Sequence, residues 1–309
     1  MLYYYSSGDV MKKNLLDFLE FLKYEKKYSS LTVNNYKRDI EYFFLFLNDK
    51  NITDLKKVDY QILREYLIHL HNHQYSKKTI SRYISSLRTF FKFLFNESII
   101  TSNPTILISN PKLDKKLPNF LYTNDLEKLL QAPNIENFLG IRDSLILELL
   151  YSTGIRVSEL VNIKIKDIDI NERKIKILGK GSKERYVLFG NLCCKKLNKY
   201  LTESRYILDK KNNDFLLLNN RGEKITTRFI ELMIKKYQKN VGISVKVTPH
   251  TLRHTFATHL LEGGADLKTV QELMGHESLS STQVYTHITS ERLRNVYLKS
   301  HPRSRISRK

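Results

Sequence analysis

Residues 248–276 read TPHTLRHTFATHLLEGGADLKTVQELMGH, and two helices, near 250–263 and 267–275, account for the spacing of their apolar positions. If Pro249 opens the first helix, His250 and Arg253 share its first turn and point the same way. A helix N-terminus binds anions, so this pair is placed to hold a phosphate. Downstream come Gly275-His276 and, nine residues on, Tyr285 in Gln283-Val284-Tyr285-Thr286-His287. Upstream, Thr153-Gly154-Ile155-Arg156-Val157-Ser158-Glu159-Leu160 sets an arginine two residues after a glycine at a helix start. Taken singly, each has an ordinary explanation: an arginine in a surface ion pair, a structural histidine, one packing tyrosine among 19. Together they describe a reaction. Two arginines neutralise the nonbridging oxygens of a phosphodiester, a tyrosine attacks phosphorus, and a Lys or His protonates the departing alkoxide. Side-chain cations make a metal unnecessary.

The rest of the chain gives this stretch its setting. Residues 12–98 predict four helices: apolar positions recur at three and four through Leu15–Leu22, Tyr36–Leu47, Ile62–Leu70 and Ile80–Leu94. Ser30 and Ser76 are candidate N-caps for the second and fourth. The fourth carries Lys77, Lys78, Arg82, Arg88 and Lys92, a basic face opposite an aromatic one, which suits a helix lying against DNA and equally suits an ordinary amphipathic helix. Pro104, Pro111 and Pro118 punctuate a stretch without helical period, read as a linker. Beyond it helices are expected near 123–132, 137–152, 156–163, 190–208, 226–240 and 290–299. Lys174–Leu178 and Arg185–Phe189 form a hairpin about Gly179-Lys180-Gly181-Ser182, and Phe215–Leu218 is a further strand. Residues 1–10 show no helical pattern, and Met11 opens a basic helical segment, so translation is expected to start there.

Charge narrows the partner. Across 309 residues, 52 Lys+Arg face 32 Asp+Glu, a net charge of +20, divided +7 over residues 1–118 and +13 over 119–309. Two basic bodies gripping one polyanion fit this better than a basic tail does, although a Lys-rich genome would leave the same total. With 41% hydrophobic residues the chain has material for real cores. No run approaches a membrane span or a signal peptide. Cys193 and Cys194 are adjacent, poor geometry for a disulfide and too few for a zinc framework, which reads as a reducing, cytoplasmic setting without a structural metal. His69, His71 and His73 mimic a metal cluster, but on one helix only His69 and His73 share a face.

The chain resembles the tyrosine recombinases (phage integrase family), and among them the bacterial Xer-type recombinases, XerC and XerD. The resemblance runs from the helical N-terminal part to His301-Pro302-Arg303. It is carried by TGIRVSEL (153–160), GKGSKER (179–185), residues 248–276 and SSTQVYTHI (280–288). It implies a mostly α fold with a small β-sheet, arranged as a two-domain clamp. A helical SAM-like core-binding domain (11–99) and a mixed α/β catalytic domain (120–302) are then joined by a linker at 100–119, with a disordered extension at 1–10 and a basic tail at 303–309.

Carried over by position, Arg156 and Arg253 correspond to the phosphate-holding arginines and Lys180 to the general acid for the 5′-oxygen. His250 and His276 correspond to phosphate-contacting or proton-relaying residues, and Tyr285 to the nucleophile of a 3′-phosphotyrosine link. Read alone, Lys180 is a solvated turn lysine, and GKGSK lacks the spacing of a P-loop. The family's reaction uses no cofactor, metal or ATP, because the phosphotyrosine keeps the energy of the broken bond. The resemblance further implies a tetrameric synapse on duplex DNA, pairing with a paralogous Xer recombinase, control by a septal DNA translocase, and conversion of chromosome and plasmid dimers to monomers at cell division. The C-terminal helix, about Glu291–Ser300, would dock into a neighbouring protomer, although Leu293, Val296 and Tyr297 suit docking onto its own domain equally well. A phage or mobile-element integrase and a non-catalytic architectural DNA-binding protein are the competing readings. The dozen residues ahead of the first helix, against the extra arm-binding domain of many integrases, favour the Xer reading.

Overall fold

The computed structural model describes residues 7–112, 120–179, 184–275 and 287–304. The chain divides into two compact units, residues 1–116 and 117–309.

The first unit is helical. Helix α1 (Ser7–Glu20) runs on into a π-helical turn (Phe21–Glu25), followed by α2 (Ser30–Asp49), α3 (Tyr60–Asn72) and α4 (Lys77–Asn96). Caps set the starts: Ser29, one residue before the serine expected, accepts from the Thr32 amide at 3.3 Å, and Ser76 accepts from that of Thr79 at 3.2 Å. Phe18, Leu22, Ile40, Phe43, Leu47, Tyr66, Leu70, Phe90, Phe91 and Leu94 close the core. Their rings meet edge-on, Phe43 to Tyr66 at 4.9 Å and Phe18 to Phe90 at 5.1 Å. Two expectations need correction. Helix α1 begins at Ser7, ahead of Met11; Met11 is buried in this core, and a helix anchored there extends backward at one backbone hydrogen bond per residue. The start of the expected linker is also packed, since Ile100 and Ile108 belong to the same core.

The second unit is built around α6 (Phe138–Thr153), buried from Gly140 to Thr153. A helix buried on every side, charged Arg142, Asp143 and Glu148 included, needs neighbours on every side. It receives α5 (Thr123–Gln131), α8 (Asn191–Lys199) with its π-helical continuation (Tyr200–Arg205) and α9 (Tyr206–Leu208), α10 (Thr227–Asn240), and α11 (Pro249–Glu262). The short α7 (Val157–Leu160) leads to a three-stranded antiparallel sheet of β1 (Ile168–Asp169), β2 (Lys174–Leu178) and β3 (Glu184–Leu188), in that order. Ile175 pairs with Val187 and Ile177 with Arg185. Phe215–Leu218 is not a strand: only isolated bridges form, Lys164 to Phe215 and Leu218 to Lys224, because its partners run alongside for one residue each.

Helix α12 (Leu267–Met274) precedes α13 (His287–Ser300), which lies on α11 and α12 of its own chain. Leu293 and Tyr297 are buried, and the Tyr297 hydroxyl donates to the Ser152 carbonyl at 3.0 Å. His301 is sealed among Tyr297, Tyr151 and Phe256, with ring centroids at 5.1, 5.0 and 5.3 Å. A Cβ on Gly263 would come within 2.1 Å of the Ser300 carbonyl oxygen, and one on Gly190 within 2.3 Å of that of Arg303. The C-terminal segment is thus seated backbone to backbone.

Candidate active site

Helix α6 ends at Gly154, whose φ of +59° turns the chain sharply. A Cβ there would stand 2.3 Å from Cδ1 of buried Phe256. The turn lets the next residues double back, and Arg156 becomes the N-cap of α7. Its amide donates to Glu159 Oε2 at 2.9 Å and its Nη1 to Oε1 at 3.0 Å, while the side chain remains 44% exposed. Glu159 itself is buried. From β3, Arg185 closes on the same carboxylate with both terminal nitrogens, Nη1 to Oε1 and Nη2 to Oε2, each at 2.8 Å. Burial pushes the Glu159 carboxyl up, but the hydrogen bonds from Arg185 and Arg156 outweigh it and hold the group below its ordinary value.

Helix α11 supplies the second arginine. Thr248 caps it, accepting from the Thr251 amide at 3.1 Å, and Pro249 is its first residue, as the sequence predicts. His250 is exposed in that first turn. Arg253, one turn on, is buried and donates to the carbonyls of Gly154 and, at 2.7 Å, Met274. Burial, with the nearby charges of Arg156 and Arg185, lowers its pKa to about 10, against the opposing pull of Glu159. It remains cationic at neutral pH.

Three of the six predicted catalytic residues, Arg156, His250 and Arg253, are therefore described, and Arg156 and Arg253 act on one another electrostatically. Lys180, His276 and Tyr285 lie outside the described residues. Glu159 and Arg185 are the participants sequence reasoning passed over. An acid three residues after Arg156 at a helix start is a capping pattern and was open to notice; Arg185 had no such local signal.

The basic face of α4 divides. Lys78 and Lys92 are exposed, and Lys77 is exposed in the first turn. Arg82 instead pairs with Asp39, a buried carboxylate that also accepts from Ser86 at 2.7 Å, and Arg88 donates to the Ile108 carbonyl and to Asn110. Among the described residues, no group of three or more His, Cys, Asp or Glu side chains is arranged to hold a metal. His69 and His73 sit 4.2 Å apart ring to ring, with the His73 Nδ1 2.8 Å from the His69 carbonyl oxygen. No helix of the described residues is long and apolar enough to cross a membrane.

Family models match both units: the phage integrase family over residues 119–292, and the phage integrase N-terminal SAM-like domain over 15–98. The chain is 47% identical to the tyrosine recombinase XerC of Anoxybacillus flavithermus, over 93% of this chain and 97% of that one. It is 43% identical to the XerC of Bacillus subtilis, over 93% and 95%. Among solved structures, XerH bound to a palindromic difH substrate after cleavage matches with a TM-score of 0.70 at 27% identity, covering 92% of this chain and 84% of that one. A lambda integrase dimer on a core site matches in fold, with a TM-score of 0.69 at 19% identity, over 88% and 98%.

Proposed function

The chain belongs to the phage integrase family of tyrosine recombinases, enzymes that break and rejoin DNA at specific sites, and we propose that its own chemistry runs through Arg156, Lys180, His250, Arg253, His276 and Tyr285. One observation supports this above the others. Arg156 and Arg253 come from different helices, yet both are fixed on the Gly154 turn, Arg156 by following it and Arg253 by bonding its carbonyl. Two cations held in this way match what a phosphodiester in transition needs: charge stabilisation already in place before charge develops.

In the proposed reaction the Tyr285 hydroxyl oxygen attacks phosphorus. A bond forms from that oxygen to phosphorus as the bond to the 5′-oxygen breaks. Arg156 and Arg253 stabilise the charge gathering on the nonbridging oxygens, with His250 and His276 contacting the same phosphate or relaying the tyrosine's proton. Lys180 gives the departing 5′-oxygen its proton. A 5′-hydroxyl from another strand reverses the step, so neither ATP nor a metal enters. Lys78 and Lys92 would neutralise DNA backbone charge from α4, with Lys77, Arg82 and Arg88 contributing what their intramolecular partners leave.

In the cell, the proposed role is conversion of chromosome and plasmid dimers to monomers at cell division, in the cytoplasm, by a four-protomer synapse that includes a paralogous Xer recombinase under a septal translocase. Likeness to XerC proteins over nearly the full length supports it. An integrase acting on a mobile element is the second reading, to which the phage integrase family match over residues 119–292 is equally open.

The test is a library of nicked suicide duplexes with randomised cores. Wild-type protein becomes covalently attached to a subset, and Tyr285→Phe attaches to none. Attachment by the Phe variant overturns the nucleophile. A captured sequence matching the host chromosome once supports the dimer-resolving role, whereas one matching the end of a mobile element supports the integrase.

A further inference from the structure

We propose that Arg185 is a positioning residue for strand cleavage: it fixes the Glu159 carboxylate, and through it Arg156, and does not itself touch the scissile phosphate. The inference rests on the recombinase reading above. Its grounds are geometric. Both terminal nitrogens of Arg185 are occupied on Glu159 at 2.8 Å. Its third nitrogen, Nε, is buried with no hydrogen-bond partner and lies 2.7 Å from where a Cβ on Gly275 would stand. The side chain is thus nearly enclosed: two of its five N–H groups bond Glu159, the Nε–H is sealed from solvent, and only 8% of the residue is exposed to meet a ligand.

What Arg185 touches defines its role. It rises from β3, the strand that follows the Gly179–Lys183 segment in sequence; it pairs with the acid that caps the Arg156 turn; and it packs against the residue immediately before His276. Gly275 has a φ of +67°, and any side chain there would collide with the guanidinium as well as strain the backbone. The bidentate fork matters, because Glu159 has two oxygens and each accepts one bond from Arg185 and one from Arg156. Remove Arg185, and the carboxylate is free to take Arg156 into a fork of its own, drawing that guanidinium off its partly exposed position. A lysine at 185 restores the charge but cannot hold both oxygens.

The experiment uses the full chain with Arg185→Met, Arg185→Lys, Arg156→Lys and the double variant Arg156→Lys/Arg185→Met. Three quantities are measured on a captured suicide duplex: affinity, the first-order rate of covalent attachment at saturating protein, and that rate when a methylphosphonate replaces the scissile phosphate. Arg185→Met should bind DNA as wild type does and attach about a hundredfold more slowly. The loss should shrink severalfold on the uncharged methylphosphonate, which asks less of Arg156, and the double variant should be little slower than the slower single one. Arg185→Lys should remain slow. Equal losses on both substrates, or losses that multiply in the double variant, overturn the proposal.

Glu159→Gln/Arg185→Met, which removes both partners of the buried pair, keeps the test open if Arg185→Met alone does not fold. An arm without DNA separates this inference from the recombinase reading. In 15N spectra, the Arg156 guanidinium signal should shift and broaden in Arg185→Met, and an unchanged signal overturns the inference. Failure of the wild type to attach to any duplex instead overturns the recombinase reading, leaving Arg185 to be judged on the spectra.

Discussion

Replacing Gly154 by alanine adds one methyl group at the point where α6 gives way to Arg156, and the structure allows the cost to be worked through. The first component is conformational. At φ +59° an L-residue meets its own carbonyl, costing about 1–2 kcal/mol. The second is packing: the new Cβ would stand 2.3 Å from Phe256 Cδ1 and 2.7 Å from Cε1. Phe256 has little room to yield, since it is buried and His301 lies 5.3 Å away ring to ring. Overpacking of this kind costs about 1–3 kcal/mol. Gly154→Ala should therefore lose about 2–5 kcal/mol in urea unfolding at an unchanged slope. Trimming the ring separates the components. Gly154→Ala/Phe256→Leu should be less destabilised than the sum of the two single variants by about 1 kcal/mol or more, because only the collision is relieved. The Gly154 carbonyl also accepts from Arg253, so a folded Gly154→Ala protein should attach to a suicide duplex at least about tenfold more slowly. A loss of stability under about 1 kcal/mol, or strict additivity in the double variant, would show that the turn does not need glycine for these reasons.

Two further outcomes arise from buried charge. Burial holds the His301 imidazole down at about 3, so the folded state takes up no proton there as pH falls from 7 to 5 while the unfolded chain does; stability should fall by about 2 kcal/mol over that window and level off near the folded value. His301→Phe should flatten this dependence in urea melts at the two pH values, leaving the smaller share from His259, whose pKa burial also lowers; an unchanged slope counts against a buried neutral His301. On α4, Arg82→Met strands the buried Asp39 carboxylate and should cost about 1–3 kcal/mol, moderated because Arg82 is 43% exposed. Lys78→Ala and Lys92→Ala should leave stability within about 0.5 kcal/mol and each reduce the salt slope of DNA binding by about one; the reverse pattern would make Arg82 the phosphate contact and the lysines structural.

Most helices were legible because their burial is one-sided. In α4 the apolar residues fall on one stripe, and Ser76 marks the start by a cap that any reader of sequence can find. Proline at 249 did the same for α11, and with it placed His250 and Arg253. Illegibility also had physical sources. Ser7–Val10 carries no apolar stripe, so its helix is anchored by the buried residues from Met11 onward. Phe215–Leu218 has the composition of a strand and the surroundings of a connection, a distinction made by neighbours far along the chain. The pairing of Arg185 with Glu159 spans 26 residues and leaves no local mark, since an arginine in a strand and a glutamate in a helix each look solvated until the fold buries both.

That burial alters how the chain's charge should be understood. Most of its basic residues stand in water, where their influence fades over about 8 Å at physiological salt and adds grip without selecting an atom. The group around Glu159 is different in kind. Arg185 and Arg253 are buried, Arg156 is half drawn in, and one carboxylate serves two of the three. Burial lowers the pKa of Arg253, and the charges of Arg156 and Arg185 lower it further against the pull of Glu159. The arrangement persists because backbone carbonyls of Gly154 and Met274, and the Glu159 oxygens, keep each guanidinium where it is. A phosphate arriving at Arg156 and Arg253 would relieve repulsion already present in the fold, and a transition state carrying more negative charge would relieve more of it. In the proposed mechanism the selectivity for chemistry over mere binding would lie in these few cations, Arg185 and Arg253 buried and Arg156 partly open to solvent, and neutralising surface lysines such as Lys78 and Lys92 should weaken binding without slowing cleavage of bound DNA.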